Sequence, residues 1–340
     1  MRLILVGFGT VGRGVAESLL AAEPVLSVSG AEPRVVAVVD PVVGSVRCES
    51  GFDLATLLRL ADAGEDLIGH AGAEPVADLE EALKRPGGDV LVEMTPTDLC
   101  TGEPGLSHLR AALEAGLHVV TTNKGPIALA YHELRDRARK AGTQLRFEGT
   151  VLSGTPVLNL CEAGLAGAGI RGIRGVVNGT CNFILTEMER GIGYSEALAE
   201  AQRLGYAESD PSGDVEGWDA AAKALILANC VLGADLEIGD VRRTGISRLT
   251  VGDVETAWAL GKTWRLIARI GRGDNDWEAV VSPEEVDRAD PEGSLTGPAN
   301  LLVFDTEALG EVTITGPGAG RRTTGHAVIA DLLAVHRSLP

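Results

Sequence analysis

Along the first half of the chain, hydrophobic positions fall into two kinds of run. Short apolar runs at 3–6, 35–39, 90–92 and 119–120, and one at 145–147 interrupted by Arg146, have the length and composition of buried strands. Between them, apolar residues recur at helical spacing over 54–61, 79–83, 106–115 and 131–141, and Val15, Leu19 and Leu20 mark a helix directly after the first strand. The stretch 23–34 reads as an extended loop before the second strand. Strands alternating with helices need crossover connections, so the pattern predicts a parallel sheet covered on both faces.

A Gly/Ser/Thr/Pro cluster at 149–156 breaks this rhythm. Beyond it lie long helical patterns at 195–204 and 215–232, strand-like runs at 279–282, 301–304 and 312–315, and a last apolar-periodic helix over 323–335. The expected architecture is α/β: a Rossmann-type doubly wound parallel sheet over 1–149, rejoined by 318–340, and a second α/β catalytic and dimerisation domain over 150–317. Length agrees, since 340 residues exceed the ~250–300 at which one hydrophobic core stops growing.

Composition narrows the partners. Thirty basic against 48 acidic residues give a net charge of −18, which repels phosphate backbones and anionic lipid and leaves a small molecule as the expected ligand. Only five of the basic residues are lysine (Lys84, Lys124, Lys140, Lys223 and Lys262), and the acidic surface fits either a high-salt proteome or codon bias. Five cysteines without a C-x-x-C pair, and no apolar run of ~18 residues, predict a cytoplasmic protein outside the membrane.

The first strand runs into Gly7-Phe8-Gly9-Thr10-Val11-Gly12 and then a helix. In that context Gly7 permits a tight turn, Gly9 lets backbone approach a pyrophosphate, and Gly12 allows close packing, so a dinucleotide is expected. Asp40 ends the second strand, where a carboxylate accepts from ribose hydroxyls and repels a 2′-phosphate. NAD is thereby favoured over NADP, although Arg47 nearby can offset a phosphate charge.

Hydride transfer from an alcohol needs a group to exchange the hydroxyl proton. The six histidines form no H-E-x-x-H, and Tyr131, Tyr194 and Tyr206 are followed four residues later by Arg135, Leu198 and Asp210, so no Tyr-x-x-x-Lys dyad exists. Carboxylates and lysine remain. They are densest from Glu208 through Asp214 to Asp219 and Lys223, the last two sharing one helix face at i, i+4. Such a pair is ordinarily a surface salt bridge worth about 0.3–0.5 kcal/mol. A chain that places arginine almost everywhere has nevertheless kept a deprotonatable amine at Lys223, and another at Lys124, where a parallel strand is expected to end.

Several segments together resemble homoserine dehydrogenase over essentially the whole chain: the glycine motif; Glu93-Met94-Thr95-Pro96-Thr97; Thr122-Asn123-Lys124; Asn178-Gly179-Thr180-Cys181-Asn182; Gly205-Tyr206-Ala207-Glu208 through Lys223; and Gly316-Pro317-Gly318-Ala319-Gly320. The resemblance implies reversible NAD- or NADP-dependent interconversion of L-homoserine and L-aspartate 4-semialdehyde, on the route to threonine and methionine. It implies substrate binding by Glu208 and Asp219 with Asp214 in support, and a cleft lined by Asn178, Gly179 and Thr180. Lys223 is then the first candidate to exchange the hydroxyl proton and Lys124 the second, while Thr95, Pro96 and Gly318 approach the nicotinamide. It further implies a monovalent cation (Na⁺ or K⁺) on Glu148, Val151, Ser153 and Thr155, and a homodimer built on the late strand-like runs.

The chain departs from the family pattern in placing Cys181 where a hydroxyl residue is common, and in stopping at Pro340 without the ACT regulatory domain of longer relatives. Two rival readings are a phosphorylating semialdehyde dehydrogenase using Cys181 or Cys100 as nucleophile, and a dinucleotide-sensing regulator without catalysis.

Overall fold

The computed structural model describes the chain apart from Arg85, Pro86, Asp274, Asn275 and Pro340. Two compact units result, Met1–Gly154 with Gly320–Pro340, and Thr155–Ala319.

The first unit is built on β1 (Arg2–Val6), β2 (Arg34–Val39), β3 (Val46–Arg47), β4 (Glu74–Pro75), β5 (Val90–Glu93), β6 (His118–Thr121) and β7 (Leu145–Arg146). Their order is β4-β3-β2-β1-β5-β6-β7, parallel from β2 to β7 with an antiparallel β3-β4 edge. Strand order reverses direction between β1 and β5, and in open α/β sheets ligands bind beyond the carboxyl ends of the strands at such a switch point. The helices are α1 (Thr10–Val28), α2 (Leu54–Asp62), α3 (Leu79–Lys84), α4 (Gly105–Glu114) and α5 (Lys124–Ala141). Leu3, Leu5, Val35, Val38, Val90 and Val92 form the centre of the core, against Val15 and Leu19 of α1.

Two local expectations change. The stretch expected as a loop from residue 23 is helical as far as Val28, with Pro24 inside α1. Proline in a helix interior costs about 3 kcal/mol, and the helix continues because Leu26 beyond it joins the core. Asp40 therefore lies far from Gly12 in sequence because α1 is long. Lys124 does not end a strand either: β6 stops at Thr121, and Lys124 opens α5, whose backbone kinks at Ala130.

The second unit contains α6 (Val157–Asn159), β8 (Ile170–Val176), α7 (Gly179–Met188), α8 (Tyr194–Arg203), α9 (Ser212–Val215), α10 (Trp218–Val231), β9 (Arg242–Arg243), α11 (Val251–Ala259), β10 (Lys262–Arg272), β11 (Trp277–Asp287), β12 (Ala299–Thr306) and β13 (Gly310–Pro317). The strands form one sheet in the order β13-β12-β8-β10-β11-β9, antiparallel except for β11-β9. The helical pattern expected over 215–232 is divided at Gly217, whose φ of +81° turns the chain between α9 and α10. A side chain is strained in that left-handed conformation, so glycine is what permits the break.

The last helix, α12 (Arg321–Ser338), returns to the first unit and buries Val328, Ile329, Leu332 and Val335 in its core. It crosses α1 where Gly14 and Gly325 meet: a Cβ on Gly14 would lie 2.2 Å from the Arg321 carbonyl oxygen.

Candidate functional site

At the carboxyl end of β1 the glycine motif has the geometry that its sequence predicts. Gly7 takes φ +89°, and a Cβ there would stand 2.9 Å from the Met94 carbonyl oxygen. A Cβ on Gly12 would lie 2.4 Å from the Gly7 carbonyl oxygen, whereas one on Gly9 would meet nothing within 4 Å. Gly7 and Gly12 thus hold the turn closed, and the space over Gly9, beside exposed Thr10 at the start of α1, is a cradle of the kind that takes a pyrophosphate. Val11 is half-buried behind it and packs against the core.

Asp40 is buried and organises this loop. Its Oδ2 accepts from the Phe8 amide at 2.6 Å, and its Oδ1 accepts from the Val42 and Val43 amides at 2.8 and 3.1 Å. A carboxylate offers about four lone-pair sites, so Oδ2 keeps acceptor capacity for a ribose hydroxyl. Arg47 is ion-paired with Glu74 across β3 and β4, a competing demand on the cation that would offset a 2′-phosphate.

Thr95 and Pro96 follow β5 at the same edge of the sheet. The Thr95 amide donates to Glu93 Oε1 at 2.9 Å, and Asn123 Nδ2 donates to the Pro96 carbonyl at 3.3 Å. Asn123 also caps α5, accepting from the Gly125 amide at 3.1 Å, and so fixes where half-buried Lys124 starts.

In the second unit, Asn178 precedes α7 as its cap, its Oδ1 accepting from the Cys181 amide at 2.8 Å. Its Nδ2 donates to Asp214 Oδ1 at 2.6 Å and to Asp219 Oδ2 at 2.9 Å. Lys223 Nζ lies 2.8 Å from Asp219 Oδ2 and donates to the Val177 carbonyl at 2.7 Å. The pair is no solvent-facing salt bridge, since the Lys223 and Asp219 side chains are 8% and 17% exposed. The partner is a carboxylate, and with Val177 it takes two of the ammonium's three donors. Gly179 lies against the Pro298 carbonyl, where a Cβ would come within 2.7 Å, and Thr180 Oγ1 donates to the Tyr206 carbonyl at 2.7 Å.

Burial raises the Asp214 pKa, and the neighbouring Asp219 charge raises it further against the Asn178 hydrogen bond and Lys223. A folded-state value above the unfolded one means that the native state binds this proton more tightly, so stability falls as pH rises through that interval. Wherever Asp214 is ionised, its burial beside Asp219 is a cost to folding. Asp214→Asn, which keeps an acceptor for Asn178, should raise the melting temperature at pH 7 and flatten its fall with pH. It should also weaken kcat/KM for an ammonium-bearing substrate by about 10–100-fold. Thermal scans over pH with parallel kinetics check both signs; a lower melting temperature would refute the assignment.

Glu208 is exposed, and its carbonyl accepts from Gln202 Nε2 at 3.0 Å. Gly318 is packed on Asn300, whose Oδ1 would be 2.1 Å from an added Cβ. Glu148, Val151, Ser153 and Thr155 are all buried. The Ser153 hydroxyl bonds to the Thr323 and Thr324 hydroxyls, and Thr155 Oγ1 donates to the Pro317 carbonyl. Among the described residues no His/Cys/Asp/Glu group is arranged to hold a metal ion, and no helix is long and apolar enough to cross a membrane.

Cys181 is completely buried, and desolvation pushes its thiol well above the ordinary range, with the Asp214 and Asp219 charges adding to the effect. Its sulfur donates to the Asp214 carbonyl at 3.3 Å. An attacking thiolate requires the opposite shift and access to substrate, which removes the basis for Cys181 as a nucleophile.

Sequence reasoning did not single out Glu93, Asn123, Asn182 or Asn300 as site residues, although all four are buried around these positions. Asn182 Nδ2 bridges the Gly297 and Ala299 carbonyls at 2.9 and 3.1 Å. The available signal was a polar residue inside or at the end of an apolar run, which seldom survives folding without a partner.

Two family models match the chain: "Homoserine dehydrogenase, NAD binding domain" over residues 7–148 and "Homoserine dehydrogenase" over 156–333. The NAD(+)-dependent homoserine dehydrogenase of Pseudomonas canavaninivorans is 42% identical, over 99% of this chain and 96% of its own. The homoserine dehydrogenase of Methanocaldococcus jannaschii is 38% identical over 99% of both chains. Among solved structures, a hyperthermophilic archaeal homoserine dehydrogenase mutant in complex with NADPH superposes with a TM-score of 0.86 at 31% identity, covering 100% of this chain and 98% of that one.

Proposed function

The chain belongs to the homoserine dehydrogenase family, and from that premise we propose the residue roles by which it interconverts L-homoserine and L-aspartate 4-semialdehyde. The nicotinamide dinucleotide, when bound, supplies or receives the hydride at C4 of the substrate. Gly7, Phe8, Gly9, Thr10, Val11 and Gly12 hold its pyrophosphate, and Asp40 its adenosine ribose. Thr95, Pro96, Lys124 and Gly318 approach the nicotinamide end.

The observation that carries the reading is the hydrogen-bonded chain Asp214–Asn178–Asp219–Lys223, anchored on buried Asn178 and Lys223. In the reductive direction Lys223, charged and held by Asp219, gives a proton to the semialdehyde oxygen as hydride reaches the carbon. In the oxidative direction the neutral amine takes the hydroxyl proton back, directly or through water. Arginine cannot do this, because it does not release a proton in this range. Glu208 and Asp219, supported by Asp214, bind the substrate's ammonium, the N-terminus of α7 at Asn178, Gly179 and Thr180 faces its carboxylate, and Lys124 polarises the carbonyl. Cytoplasmic residence and a homodimer assembled through the β8–β13 sheet complete the proposal, the latter checked by light scattering. The carbonyls of Glu148, Val151, Ser153 and Thr155 are of the donor type that takes Na⁺ or K⁺, and activity in buffers with and without these ions tests that site.

Reduction of NAD and of NADP with L-homoserine across a salt series tests the reaction itself. The absence of turnover with intact dinucleotide binding would return the chain to the regulator class. Asp40→Ala should lower the NAD/NADP preference in kcat/KM by about tenfold or more and reduce the melting temperature, because three amides lose their acceptor. An unchanged preference would overturn the ribose assignment.

A further inference from the structure

Glu93 is completely buried at the carboxyl end of β5, in register with Val6 of β1 and Thr121 of β6. Its Oε1 accepts from the Thr95 amide at 2.9 Å and from the Thr95 hydroxyl, and its Oε2 accepts from Thr121 Oγ1 at 3.0 Å. Asn123 closes the ring: its amide donates to Thr121 Oγ1 at 3.0 Å, and its Nδ2 donates to Thr95 Oγ1 at 3.3 Å. Gly105 packs on the ring, where a Cβ would stand 2.6 Å from Asn123 Nδ2 and 3.3 Å from Glu93 Oε2. His108 Nδ1 lies 3.8 Å from Glu93 Oε1 and is itself buried without a hydrogen-bond partner.

Every hydroxyl in this ring has a direction. Thr95 donates to Glu93 Oε1 and receives from Asn123; Thr121 also receives from Asn123 and donates to Glu93, shared between Oε2 at 3.0 Å and the backbone carbonyl at 3.1 Å, so the side chain accepts at both oxygens. A carboxylate does so, whereas a carboxamide turns a donor toward one threonine. The ring joins the Thr95–Pro96 segment to the start of α5 and places a formal negative charge in a low-dielectric position behind that segment.

We infer that Glu93 is a positioning residue for the nicotinamide end of the cofactor, and that its charge favours the oxidised, cationic nicotinamide over the neutral reduced one. This rests on the assignment of Thr95 and Pro96 to the nicotinamide proposed above. A unit charge in a buried setting supplies a bias of about tenfold in relative affinity.

Titration calorimetry or fluorescence with NAD⁺, NADH and ADP-ribose, without substrate, tests it. Glu93→Gln should weaken NAD⁺ about tenfold more than NADH and leave ADP-ribose unchanged, and Glu93→Asp should restore the NAD⁺/NADH ratio. Equal weakening of NAD⁺ and NADH, or equal loss of ADP-ribose, would reduce Glu93 to a structural acid and overturn the inference. If the Glu93 variants do not fold, Thr121→Val keeps the charge and removes one donor: it should weaken both nicotinamide forms relative to ADP-ribose, and unaltered binding would overturn the positioning role. A wild-type protein that binds both cofactors but shows no turnover with homoserine would instead defeat the functional reading alone.

Discussion

Lys223→Ala should lower kcat for homoserine oxidation by about 10²–10⁴-fold, the range that a positioned acid–base group contributes, while NAD binding survives. The expectation follows from the placement of the amine. Lys223 is buried, 2.8 Å from Asp219 Oδ2, with the Val177 carbonyl as its second acceptor. A lysine kept only for charge would be replaceable by arginine, which this chain uses for 25 of its 30 basic residues. Lys223→Arg should therefore fail to restore turnover, because a guanidinium keeps its proton. Stopped-flow measurement of the hydride step, with cofactor affinity measured in parallel, separates loss of chemistry from loss of binding. Near-normal kcat in Lys223→Ala would make the pair a buried structural salt bridge.

Asp219→Ala should be strongly destabilising, costing about 3–5 kcal/mol because it removes the carboxylate paired directly with buried Lys223. Asn178 also loses one of the two carboxylates to which its Nδ2 donates. At about 2–4 °C per kcal/mol for a unit of this size, the melting temperature should fall by roughly 6–20 °C. Activity should fall with it, since the amine loses the group that holds it. The double variant Asp219→Ala, Lys223→Met should recover most of the lost stability and none of the activity, because removing both partners relieves the buried charge without replacing the proton carrier. If Asp219→Ala alone melted like the wild type, the pair would be solvated in solution, and the burial argument for both residues would fail.

The parallel half of the fold was legible because β1, β2, β5 and β6 carry apolar runs and its helices a 3.6-residue period, whereas the two-residue β3 and β4 at its edge carry no such run. The second sheet was less so. β8 and β10 intersperse arginines among their apolar residues and were not anticipated as strands; Arg174 pairs with Glu292 and Glu311 and Arg269 with Glu284, partners that other strands and loops bring to them. Such pairing leaves no local trace. Similarly, Pro24 argued locally for a helix end, and burial of Leu26 outweighed it.

By itself the sequence determined the glycine turn, the acidic end of β2, a lysine retained in a chain rich in arginine, and the family to which these motifs belong, since each is a property of residue type and spacing. Only the tertiary structure decided that Asp214 and Asp219 share one asparagine, that Lys223 is buried between two acceptors, that Lys124 opens a helix, and that Glu93 closes a ring of hydroxyls. The physical reason is desolvation. What a carboxylate or an amine does depends on which partners replace its water, and those partners come from strands and helices that chain order alone does not bring together.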